Sequence, residues 1–223
     1  NYVVPPGIIR EINVATANQA QLNEQSLQLE ICGLEDGDAR AAYRNINFDM
    51  RMYKRLRMFV HGEAFRSDEP LETGDLSVFV RLGSDFVDNY YEYEIPLTVT
   101  PWGVTEETEI WPVANEVDLR FQDLQNLKIS RPDGYPLFQE WTNFVDGARL
   151  SVRGNPNLAN VVTVMIGVRN PDKDTNPFAV DDDGLEKCAI VWANELRLAE
   201  FNEEGGWAAT AQMQATLSDL GNL

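Results

Sequence analysis

The chain has 223 residues, with 18 Lys and Arg against 36 Asp and Glu, a formal charge of −18. That balance excludes the basic footprint on which nucleic-acid binding depends, and it disfavours docking on anionic lipid through charge. No apolar run is long enough for a transmembrane helix, which leaves strand crossing as the membrane option, since short alternating strands escape hydropathy scans. The chain starts at Asn1 without an initiator Met or a charged-then-apolar leader, and reads as a fragment or mature segment.

Residues 1–25 open on Pro5-Pro6-Gly7 and continue into an Asn- and Gln-rich stretch, a connector into the domain. Leu27, Leu29 and Ile31 alternate with polar neighbours as a half-buried strand. Asp36-Gly37 supplies a turn. Ala41 to Phe48 forms a second strand, Asp49 to Tyr53 a short excursion, and Arg55 to Ala64 a third strand with Leu56, Met58 and Val60 on one face. Leu76, Val78, Val80 and Leu82 point inward from the next strand, and Gly83-Ser84-Asp85 turns the chain. Tyr90 to Val99 is aromatic and β-branched, ending before Pro101.

Around Asn115 the period changes. Val117, Phe121, Leu124 and Lys128 are spaced for one short helix on the edge of the fold. A polar link follows, then a strand from Ala148 to Arg153 and a turn at Asn155-Pro156-Asn157. Val161 to Val168 is nearly all apolar, as expected of a central strand. An acidic loop spans 170–184, and strands from Cys188 to Trp192 and Glu195 to Phe201 complete the set. Eight or nine strands with turn signals between them predict a mainly β fold, a β-sandwich over 26–203 whose long connections favour a jelly roll.

The last stretch, 204–223, differs from the rest. Trp207, Ala209, Ala211, Met213, Ala215 and Leu217 fall on one face and small polar residues on the other, with no charge from Trp207 to Ser218. About ten alternating residues behind an aromatic start match a membrane-facing strand of an outer-membrane barrel. An ordinary amphipathic strand and an Ala-rich helix fit the same letters. A barrel strand cannot cross a bilayer unpaired, so that reading makes the sandwich an insertion in a larger barrel chain.

Chemistry-bearing residues are sparse. His61 is the only histidine and lies opposite the Leu56, Met58, Val60 face; no GxSxG elbow or close Cys pair accompanies it, so no catalytic residue is expected. Cys32 and Cys188 both fall in strands, and a long-range disulfide and two buried thiols are both open. Asp172, Asp174 and Asn176, followed by Asp181 and Asp183, place hard oxygen donors on one loop, suited to calcium or simply to solvent. Tyr90, Tyr91 and Tyr93, with Trp102, Trp111 and Trp141, offer material for a sugar-stacking platform or for wedges against a neighbouring part of the protein.

Five stretches together carry a family likeness: 22–45 (LNEQSLQLEICGLEDGDARAAYRN), 53–65 (YKRLRMFVHGEAF), 76–97 (LSVFVRLGSDFVDNYYEYEIPL), 150–171 (LSVRGNPNLANVVTVMIGVRNP) and 191–222 (VWANELRLAEFNEEGGWAATAQMQATLSDLGN). They resemble the SprA (Sov) family of Bacteroidetes, very large outer-membrane β-barrels that form the translocation pore of the type 9 secretion system and serve gliding motility. The resemblance implies a structural role at the cell surface without catalysis. Its implied partners are the rest of the barrel chain, an outer-membrane lipoprotein, a plug subunit and secreted cargo. If the short turn at Asp219 to Asn222 is periplasmic, the sandwich is extracellular. At the level of fold, RMYKRLRMFVHGEAF, LSVFVRLG and WANELRL are similar to the galactose-binding jelly roll of carbohydrate-binding modules. That likeness makes a surface carbohydrate-binding module the competing expectation.

Overall fold

Alternating apolar residues let each strand turn one face inward, and here they assemble two antiparallel sheets. The computed structural model describes residues 3–8, 26–68 and 70–202. Four strands form one sheet in the order β1 (Leu27–Leu34), β10 (Lys187–Phe201), β3 (Tyr53–Ala64) and β6 (Val117–Arg120). The other has six, in the order β2 (Ala39–Phe48), β9 (Val161–Arg169), β4 (Ser77–Gly83), β5 (Tyr90–Pro96), β8 (Ala148–Arg153) and β7 (Trp141–Val145). Two short helices, α1 (Glu107–Ile110) and α2 (Phe121–Ser130), complete a β-sandwich.

The core lies between the sheets. Leu56, Met58 and Val60 of β3 are each 1% exposed and face Val78, Val80 and Leu82 of β4, with Leu150 and Val152 of β8 in the same cluster. Each such side chain contributes roughly 1.5–3 kcal/mol through burial. Gly62 has a packing reason: a Cβ there would stand 2.6 Å from Leu97 Cδ2.

Several expectations need correcting. Val117 does not open the helix: Val117–Arg120 is β6, paired with β3 through Leu56 and Leu119, and α2 begins at Phe121. Val117, Leu119 and Phe121 alternate as well as they repeat helically, and the free edge of β3 decides for the strand. Among the described residues there are two α-helices rather than one, because Glu107–Ile110 closes a single turn. The fifth strand ends at Pro96, before Val99. The link before Ala148 holds β7, joined to β8 by Asp146 and Gly147 at φ 50° and 84°, a hairpin turn that the Asp-Gly pair encodes. Cys188 to Phe201 is one strand, not two; it bends at a bulge where Glu195 takes φ 55°. The expected strand of 204–223, with Trp207, Ala209, Ala211, Met213, Ala215 and Leu217, lies outside the described residues, as does most of the 1–25 connector.

Candidate functional site

β3 carries His61 on the outer face of the four-stranded sheet, where Trp111 and Trp192 cover it to 2% exposure. Its Nδ1 lies 2.9 Å from the carbonyl of Ile110, and that contact makes Nδ1 the protonated nitrogen. Nε2 faces Glu63 at 3.7 Å. Burial pulls the imidazole below its ordinary range, against the opposing pull of the Ile110 carbonyl and Glu63. Neither cysteine can serve it as a thiol nucleophile, since Cys32 and Cys188 are bonded to each other. Trp111 donates from Nε1 to the Val3 carbonyl at 2.9 Å, so the indole that roofs His61 also anchors the segment 3–8.

The oxygen donors of the acidic loop serve the loop itself. Asp172 Oδ1 accepts from the backbone of Asp174 at 2.9 Å, and Asn176 Nδ2 donates to Asp182 at 2.6 Å. Asp183 accepts from the Leu185 backbone at 2.9 Å and binds the Lys187 ammonium at 2.8 Å. Asp75, on the far side, holds the same ammonium at 3.0 Å. Asp181 is exposed. Among the described residues no three of His, Cys, Asp and Glu converge as a metal cluster; Asp172, Asp174, Asn176, Asp181 and Asp183 lie along this loop. The nearby buried cation, Lys187, carried no sequence signal beyond its four-residue spacing from Asp183.

The tyrosines divide between the two faces of β5. Tyr91 is in the core, and burial lifts its phenol to about 12. Tyr90 lies on the outer face of the sheet, 2% exposed, under the Arg81 guanidinium at 3.8 Å and bonded to Glu140. With Trp111 also buried, these rings present no open platform; Trp102 is exposed in its loop.

What surrounds Tyr90 is a charge network that the sequence reading missed. Glu92 and Glu94, each 1% exposed, sit on the outer face of the six-stranded sheet. Arg81 meets Glu92 Oε2, and Arg169 meets Glu92 Oε1 at 2.9 Å and also Glu94. Arg149 reaches Glu94 at 2.5 Å, and Ser77 donates to it. Burial works against the Glu92 carboxylate, yet Arg169 and Arg81 together hold it below the ordinary carboxylate range. Opposite charges at alternate positions of four neighbouring strands, among them Arg81 and Arg169 against Glu92 and Glu94, were the signal available.

Among the described residues one edge of the sandwich stays open. β2 is the outer strand of its sheet among the described residues, and only Ala42 of its ten residues is even half-buried. Beside it runs a groove of about 700 Å³ between the sheets, lined by Leu27, Phe48, Ile166, Leu196 and Leu198 together with Arg44 and Arg197. The disulfide crosses the neighbouring strands β1 and β10, where Cys32 and Cys188 have Cα atoms 4.0 Å apart.

A cross-strand disulfide belongs to an oxidising compartment. Sandwich and disulfide together define an extracytoplasmic β-sandwich domain. The chain belongs to the SprA_N family, described as motility related/secretion protein, which matches residues 1–223. No curated protein matches it.

Proposed function

We propose that this chain is a non-catalytic structural and interaction domain of an outer-membrane protein-translocation pore, of the kind that serves type 9 secretion and gliding motility. The observation that carries the reading is the family match over all of 1–223. The fold supports it in two ways. The outer face of the six-stranded sheet is sealed by ion pairs, and His61 is buried with no thiol to activate, its ring tied to the Ile110 carbonyl. In this reading the sandwich is a jelly roll displayed on the cell surface, and 204–223 returns the chain to the barrel. Its partners are the rest of the barrel chain, an outer-membrane lipoprotein, a plug subunit and passing cargo.

The test uses the whole secretion protein in its own cells. Val180, 99% exposed, is replaced by Cys, and an impermeant maleimide is applied to intact cells. Labelling is expected, whereas protection that ends on cell lysis would place the domain in the periplasm. In parallel, Glu92→Lys, which breaks the sheet-face network, is expected to stop secretion and gliding. Full secretion by a chain whose domain is demonstrably unfolded would refute the role in translocation.

A further inference from the structure

We infer that the open edge of β2 and the groove beside it bind an extended strand of a partner polypeptide, apolar at alternate positions and bearing at least one carboxylate. The inference rests on reading the chain as an interaction domain, and it specifies the chemistry of what is bound.

The shape points to a strand. The groove is lined by consecutive residues of β2, from Ala42 through Ile46, and then by Phe48. Successive side chains of a strand point to opposite faces, so a cavity touching every one of them wraps around the strand's edge. That edge carries unpaired backbone donors and acceptors among the described residues, the template on which strand addition works. Usual protections against such pairing are weak here. β2 is ten residues long, contains no proline, and leaves Tyr43 58% exposed with Ile46 and Phe48 beside it. Its one irregularity is a register shift between Asn45 and Phe48, with Asn47 at φ 53°.

On the facing sheet, β1 begins opposite Ala193. Beyond that point, among the described residues, β10 has a strand neighbour only on its β3 side. Leu196 and Leu198 there line the opposite wall of the groove. An incoming strand therefore meets backbone from β2 and apolar side chains from both sheets.

The charge narrows the class of partner. In a chain of net charge −18, the groove lining holds Arg44 and Arg197 and no Asp or Glu. Arg44 is exposed, whereas Arg197 carries its guanidinium over the Phe59 ring at 5.3 Å, on the outer face of the four-stranded sheet. A cation and no carboxylate at an apolar groove in an otherwise acidic molecule favour a carboxylate on the occupant and disfavour a basic one.

The test is fluorescence anisotropy with chain 1–223 at physiological salt. The probe is a labelled peptide matched to the ten residues of β2, with Val alternating with Glu and Thr. Saturable binding is expected, weakened about tenfold or more by Arg44→Glu, checked for native circular dichroism. The same peptide N-methylated at alternate residues, and a version with Lys for Glu, are expected not to bind. Absence of saturable binding, equal binding of the N-methylated peptide, or indifference to the Arg44 charge reversal would each overturn the proposal. So would sedimentation showing that a second copy of the chain occupies the edge and is not displaced. Surface labelling and secretion in cells read the proposed function independently, so a negative peptide result leaves that reading intact.

Discussion

Arg81 and Glu92 stand opposite one another across β4 and β5, and two guanidinium nitrogens of Arg81 converge on a single carboxylate oxygen, Oε2, at 2.8 and 2.6 Å. The other oxygen is taken by Arg169 at 2.9 Å. Both acceptor atoms of a buried carboxylate are thus occupied by charged donors, the arrangement in which burying an ion is tolerable.

Removing the carboxylate should therefore cost more than its own interactions. Glu92→Ala leaves Arg81 and Arg169 facing each other without their shared counter-ion, and is expected to destabilise the domain by about 3–5 kcal/mol. Urea unfolding followed by circular dichroism measures it; a change within 0.5 kcal/mol, the usual range for surface substitutions, would show the network to be energetically idle.

The same carboxylate gives the domain an acid limit. Its folded pKa lies below the ordinary 4.5, so its contribution is present above that value and is lost as pH falls through the folded pKa. Unfolding midpoints measured downward from pH 6 should fall in the acid range for the native chain. Glu92→Gln, already destabilised, should show a shallower decline.

His61 adds a second, separate pH dependence. Burial depresses its pKa below 6.5, so the neutral ring's contribution is present above about pH 6.5 and is lost as pH falls through the folded value. Because the chain has one histidine, its imidazole resonances can be followed by NMR without ambiguity. The expected folded pKa is below that of a histidine peptide; a value at or above 6.5 would mean that Glu63 captures the proton and overcomes burial.

The disulfide closes a sequence separation of 156 residues. On the chain-entropy account, Cys188→Ser should lower stability by about 4–5 kcal/mol. Thiol titration of the denatured, unreduced chain should find no reactive sulfhydryl, and one equivalent or more per chain would contradict the bond.

Gly62 tests the packing between β3 and the stretch after β5. Gly62→Val drives a branched side chain into Leu97 and should cost about 1–3 kcal/mol. A simultaneous Leu97→Ala should recover part of it, a coupling that a double-mutant cycle reads directly.

The strands with apolar residues at alternate positions were legible because alternation is a local signal. Leu56, Met58 and Val60, and Leu76, Val78, Val80 and Leu82, could be assigned to the core from their neighbours alone. Val117 was not legible, because its apolar neighbours satisfy both periods and only the unpaired edge of β3 selects the strand. Trp141 to Val145 escaped for a related reason. An edge strand has one partner and little burial, so its letters look like a loop, although Asp146-Gly147 marked the hairpin.

What the residues by themselves determined is the class: an acidic, mainly β chain whose linear stretches carry the family likeness, since hydrophobic period and net charge are properties of neighbouring letters. Tertiary structure alone decided which charges meet. Arg81, Glu92, Glu94, Arg149 and Arg169 read as solvated letters along four strands, and the register of β9, β4, β5 and β8 brings them onto one buried face. The same holds for Asp75 and Lys187, 112 residues apart, and for the groove, whose walls come from opposite sheets. Interactions between strands depend on register and distance, and neither is written in the local order of residues.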